Sequence, residues 1–314
     1  METYLVVRAH GLKTRLLNKN DYELIIREER SLADYPDYMH IKEDDSLHDK
    51  IEKVYRVYIN RMNLLAKISP EDYEQFVRAL LDRLEIENIK IQLRYIMGSK
   101  RKVLYYPYGH YISPSRLSKI ASEGTLWETL RATPYMKNKK VPKFITGTVA
   151  EREFFVENLY YSYIIGLINK SRNLKRKLDK LIEILRTEYM GKLIYWEKIL
   201  GKENLPEIIR NQGIPFDIHS VRLREYLEKL KIDYQEAIEY LSTNRLTDFL
   251  NLLKRGLIRY SIYLLTPHTV ELPFIYLYNI MAHIEAENLE RIILGKNIGL
   301  TEEAILSTLV FIEE

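Results

Sequence analysis

The most informative pattern of apolar and polar positions lies over residues 269–300. Pro273 stands where a first helical turn tolerates it. Ile275, Tyr278, Met281, Ile284, Leu289, Ile292 and Ile293 then recur at roughly helical spacing, until Gly295 offers a stop. A looser copy lies earlier in the chain. There Glu87-Asn88-Ile89 leads into Leu93-Arg94-Tyr95-Ile96-Met97-Gly98, as Glu287-Asn288-Leu289 leads into Ile292-Ile293-Leu294-Gly295.

The rest of the chain extends this echo. Leu16, Leu17, Tyr22, Leu24, Ile25 and Ile26 predict two short helices separated at 18–21, because Asn and Asp prefer helix ends. Leu47, Ile51, Val54, Tyr58, Met62 and Leu65 form a single stripe at spacings of three and four. Ser69-Pro70-Glu71-Asp72 opens a second long helix, and the two are expected to form an antiparallel hairpin. The segment 98–109, with charge, Pro and Gly, is a first boundary.

The pattern then restarts. Ser113-Pro114 opens a short helix, and a second carries Leu126, Trp127 and Leu130. Thr148-Val-Ala-Glu151 reads as a capping box before a helix with Phe155, Leu159, Tyr163 and Leu167. One further long helix is expected from Leu174 to Leu200, ahead of Gly201. After the Gly213/Pro215 boundary come short helices over 221–230 and 234–241, a long one over 246–265, the organising stretch, and a terminal helix capped at Thr301.

The expected fold is therefore all-α, in three similar helical bundles of about 100 residues at 1–104, 105–208 and 209–314. The repeat is weakest in the middle, where the position matching Asn88 falls near Gly191 and Glu197 stands in place of Arg94. The low counts of Gly (12) and Pro (10) favour long helices over a glycine-punctuated sheet protein. Zero cysteines exclude disulfides and thiolate chemistry. A net charge of +4 neither demands nor excludes an acidic partner. No apolar run approaches the length of a spanning helix, and the N-terminus lacks the pattern of a secretory signal.

Taken together, Arg8, Leu16-Leu17, Tyr22 and Leu24 at the start, Glu87-Asn88-Ile89 with Arg94 and Gly98, and Leu272-Pro273-Phe274 with Glu285, Glu287-Asn288-Leu289, Ile292, Gly295-Lys296 and Gly299-Leu300 resemble the C (or d) subunit of A/V-type rotary ATPases. The resemblance covers nearly the whole chain, although its motifs are aliphatic and degenerate. It implies a funnel-like arrangement of the three bundles, seated between a rotating central axle and a membrane proteolipid ring. It further implies a non-catalytic coupler with no cofactor, peripheral at the cytoplasmic face of the membrane. Asn88, Arg94, Gly98, Glu287, Asn288 and Gly295 are its candidate structural motif residues. Asn is a poor former of helix interiors, so Asn88 and Asn288 are expected to hydrogen-bond across helix junctions.

Other chemistries have thinner support. Asp44, Asp45 and Asp49 superficially resemble the Asp-rich magnesium motif of helical isoprenoid synthases, but helix N-terminal charge compensation explains them more simply. The seven His, at 10, 40, 48, 110, 219, 268 and 283, show no metal-site spacing, and neither familiar phosphate loop is present. Lys100-Arg101-Lys102, the lysines at 137, 139, 140 and 143, and the basic run at 170–177 are in places interleaved with Tyr. They support an alternative reading as a helical nucleic-acid-binding protein, against the simpler reading as solvated helix faces and ends.

Overall fold

The computed structural model describes residues 2–99, 104–170, 172–216 and 222–311. Lys100, Arg101 and Lys102 of the first basic cluster, together with Ser171, His219 and Val221, lie outside the described residues. Most of the described residues are helical, with no strand among them. Their helices are α1 (Glu2–Lys13), α2 (Lys19–Ile26), α3 (Leu47–Ile68), α4 (Glu71–Ile96), α5 (Pro114–Leu117), α6 (Glu123–Arg131), α7 (Val149–Lys170), α8 (Arg172–Lys177), α9 (Asp179–Leu200), α10 (Leu205–Gln212), α11 (Leu223–Lys229), α12 (Tyr234–Ser242), α13 (Leu246–Leu265), α14 (Pro273–Asn297) and α15 (Glu302–Thr308).

Local chemistry sets many of these boundaries. Asn18 accepts from the Asp21 amide at 3.1 Å while Asp21 accepts from the Asn18 amide at 2.9 Å, a reciprocal cap that starts α2. Ser46, Ser113, Ser122, Asp233 and Thr301 each cap the helix that follows through a side-chain oxygen. At α7 the expected capping box is reworked. Thr148 accepts from the Glu151 amide, but the Glu151 carboxylate turns back to the amides of Ile145 and Thr146, both at 2.8 Å.

Three expectations need correction. The helix expected from Leu174 to Leu200 is interrupted at Leu178, where φ −113° and ψ 19° leave helical geometry and separate α8 from α9. Pro206 in the first turn opens α10, a short amphipathic helix between Gly201 and Gly213 that the pattern missed. Gly295 does not stop the organising helix, which runs on to Asn297. The stop is Gly299, at φ +73° in the left-handed region, as Gly98 at φ +100° follows α4. Gly295 is a packing residue, since a Cβ there would lie 2.7 Å from Ile305 Cγ1.

The chain forms two compact units. One comprises 1–78 and 261–314, the other 79–260. In the first, α14 packs along α3 and against α1, and Leu5, Met62, Leu65, Ile275, Tyr278 and Leu289 are fully buried. In the second, α7 packs against α8 and α9 around Phe154, Leu159, Ile164, Leu181 and Leu185. There Ile194, Tyr226, Leu227, Leu230, Phe249 and Leu253 form a further hydrophobic cluster.

Candidate functional site

The two Glu-x-Glu-Asn runs, Glu85 to Asn88 and Glu285 to Asn288, hold the polar centres of the two units. Helical spacing puts Asp82, Glu85, Asn88 and Gln92 on one side of α4, and all four are buried. They grip the segment 105–120. Asn88 donates to the carbonyls of Tyr106 and Tyr108 at 2.9 and 3.0 Å and accepts from the Tyr106 amide at 2.7 Å. Glu85 accepts from the amides of His110, Tyr111 and Ile112 at 2.5, 3.0 and 2.9 Å. Asp82 accepts from the Tyr108 hydroxyl at 2.8 Å and lies 3.1 Å from His110 Nδ1, while Gln92 donates to the Ile120 carbonyl at 2.5 Å. A segment with no ladder of its own thus finds its backbone partners on the helix.

Glu285 and Asn288 do the same work on α14 with different clients. Asn288 donates to the Val310 carbonyl at 2.8 Å and accepts from its amide at 3.0 Å. Glu285 accepts from the Leu17 amide at 2.5 Å, from the Tyr38 hydroxyl and from Arg61 at 2.5 Å. Arg61 also meets Asp37 Oδ2 at 2.7 Å. Burial works against the Arg61 charge, yet the adjacent Glu285 carboxylate raises its pKa. Nothing in the sequence marked Arg61 as a partner of Glu285, because it is 224 residues away along the chain.

The remaining motif residues occupy the margins. Arg94 makes a two-pronged bond to the Glu153 carboxylate at 2.7 and 2.6 Å. Glu287 is half-buried, 3.8 Å from His283. At the middle position Gly191 replaces Asn, and the Tyr226 phenol oxygen sits against its backbone. A Cβ there would collide with that oxygen and approach Leu253 Cδ1 to 3.2 Å. Gly191→Ala is therefore expected to cost about 1–3 kcal/mol by overpacking, measurable as a lowered midpoint in chemical denaturation.

The second unit has a further buried charge cluster. Glu157 on α7 accepts from Lys90 at 3.0 Å, Lys192 at 2.8 Å and the Trp196 indole at 2.6 Å, and Glu188 pairs with Arg83 at 2.7 Å. The acidic turn before α3 is engaged in local bonds. Asp45 accepts from the Lys42 amide at 2.7 Å and from Lys53 at 2.5 Å, and Asp49 accepts from the Ser46 hydroxyl at 2.6 Å. Among the described residues no group of three or more His, Cys, Asp and Glu is placed to hold a metal. In the basic loop Lys139 donates to Ser162 at 2.6 Å, while Lys137, Lys140, Lys143, Arg172, Lys175 and Arg176 are exposed.

Glu85 makes a pH prediction. Burial pushes its carboxyl up to about 7; the Tyr111 amide opposes this, the Asp82 charge adds to it, and the His110 and Ile112 amides oppose it. Between the ordinary value of 4.5 and about 7 the folded chain holds a proton that the unfolded chain has released. Stability contributed by this group is full below that window and falls as pH rises through it, by up to about 3 kcal/mol. Denaturation midpoints from pH 4 to 8 should show that slope reduced in Glu85→Gln.

These geometries define an all-helical scaffold whose buried charges and amides hold irregular segments against long helices. The chain is similar along nearly its whole length to the A-type ATP synthase C subunit of Methanosarcina barkeri (strain Fusaro / DSM 804). The two are 25% identical over 348 aligned positions, which cover 98% of this chain and 92% of that protein. This similarity supports the C-subunit family of rotary ATPases, the family that the Glu-Asn and carboxy-terminal motifs resemble. No family model matches the chain.

Proposed function

We propose that the protein is a non-catalytic central-stalk subunit of an A/V-type ATP synthase or ATPase. In this reading it couples the rotating axle to the membrane proteolipid ring and transmits torque during ion transport. The observation that carries it is the near-full-length similarity to the C subunit of an A-type ATP synthase. The C subunit of an ATP synthase is a structural part of the stalk, and the chemistry of ATP belongs to other subunits.

The buried clamps suit a mechanical part. Torque passes through packed cores because they deform little under load, and the buried ion pairs penalise sliding of the helices they join. We read the chain as three related units, 1–104, 105–208 and 209–314. Support comes from Glu85 with Asn88, Glu188 with Gly191, and Glu285 with Asn288, which recur about one repeat apart on α4, α9 and α14. The place of action is peripheral, at the cytoplasmic face through the ring. No helix among the described residues is long and apolar enough to cross a membrane.

The test is affinity recovery of tagged protein from gently solubilised native membranes, with partners and stoichiometry read by mass. One copy is expected with catalytic subunits, axle subunits and a proteolipid ring. Recovery from the soluble fraction with nucleic acid and no ATPase subunits would overturn the reading. So would ATP hydrolysis by the purified chain alone.

A further inference from the structure

Helix α1 is apolar on two faces and covered on one. Leu5, Val6, Ala9 and Leu12 are buried where α1 packs on α3 and α14. The opposite side carries a second seam, Tyr4, Val7 and Gly11, at spacings of three and four, which is the pattern of a helix that meets another helix. Tyr4 is 58% exposed and Val7 62%. His10 fixes the neighbouring turn to this helix through a 2.8 Å bond with the Thr269 carbonyl and a 3.8 Å stack on Phe274, and Val270 beside it is 75% exposed.

Gly11 is the odd member of the seam. It lies within α1 and its φ is not in the left-handed region, so no turn requires it. A Cβ added there would meet nothing within 4 Å. Glycine weakens a helix relative to alanine, and this chain's own packing gives no return for that cost. Gly295, by contrast, has Ile305 against it. A bare backbone in an exposed apolar seam admits close approach by another helix.

The charge around the seam selects that helix. The exposed residues of α1 are Thr3, Tyr4, Val7, Arg8, Gly11 and Lys13, none of them acidic. Arg8 flanks the seam, and Arg15 follows just beyond the helix with its side chain 62% exposed and 3.3 Å from Asp37. We propose that the outer face of α1 docks an acidic amphipathic helix of a partner polypeptide. Its apolar ridge seats on Tyr4, Val7 and Gly11, and its carboxylates face Arg8 and Arg15. The inference stands on this surface and does not require the rotary ATPase reading.

A photoreactive phenylalanine analogue at position 7 of the whole chain, produced and irradiated in its native cells, provides the test, with the same analogue at exposed Asn20 as the control. Irradiation should join position 7 to one other polypeptide, at a peptide with apolar residues three and four apart and Asp or Glu beside them. Gly11→Leu and Arg8→Glu should each lower that adduct at least tenfold without lowering the melting temperature of the isolated chain. Labelling no stronger than at Asn20 would overturn the proposal, as would transfer to lipid, to a second copy or to a basic segment. An adduct that survives both substitutions would also overturn it. ATP synthase subunits recovered alongside an unlabelled α1 would sink this inference alone and leave the proposed function standing.

Discussion

Glu285→Ala is expected to destabilise the unit formed by 1–78 and 261–314 by about 3–5 kcal/mol, the usual cost of removing one partner from a buried ion pair. Three donors lose their acceptor at once: the Leu17 amide, the Tyr38 hydroxyl and Arg61. Asp37 still meets Arg61 at 2.7 Å, but it is partly exposed and does not replace the acceptor that Leu17 and Tyr38 lose. Glu285→Gln keeps the volume and restores one acceptor, but it turns an amide NH2 toward groups that also donate, so it should recover only part of the loss. The decisive measurement is a double-mutant cycle with Arg61→Ala, read by chemical denaturation and by hydrogen exchange in α3 and α14. A coupling near zero would mean that the ion pair does not hold these elements together.

A comparable loss is expected in the other unit from Glu157→Ala. The substitution leaves Lys90 and Lys192 facing one another without the carboxylate between them, and it removes the acceptor of the Trp196 indole. Lys90 keeps a contact to Glu87 at 2.7 Å, and Lys192 can move toward solvent, so about 3 kcal/mol is the expected scale. The pH dependence has the opposite sense to that of Glu85. Burial alone would raise the Glu157 pKa, but Lys192 and Lys90 outweigh it and hold the carboxyl well below its ordinary 4.5. Its stabilisation is complete above that ordinary value and is lost as pH falls below it. Wild type and Glu157→Gln should therefore converge in stability on acidification. A constant gap down to pH 2 would show that Glu157 is not the ionised centre of the cluster.

The pairs Glu85/Asn88 and Glu285/Asn288 also show how far a one-dimensional pattern reaches. An Asn inside a long apolar stripe is visible as an anomaly, because its side chain competes for backbone bonds and weakens a helix interior. The strings around Asn88 and Asn288 match well enough to suggest repetition. The clients of these residues are not legible there. Asn88 holds 106–108, Asn288 holds Val310, and Glu285 holds Leu17, Tyr38 and Arg61 from the far end of the chain.

The sequence by itself determined the helical class, most helix starts and the family resemblance. Ser, Asn, Asp and Thr caps act within three residues, and an amphipathic stripe is a property of one segment. Only the tertiary structure decided what Gly295 and Gly191 are for. Their identity answers to Ile305 in one case and to Tyr226 and Leu253 in the other, and no local preference encodes those contacts. The same holds for the charges. A Glu in a helix reads alike whether it is solvated or buried. Glu157 and Glu285 became structural centres because folding removed water from them and brought cations from other helices within 3 Å.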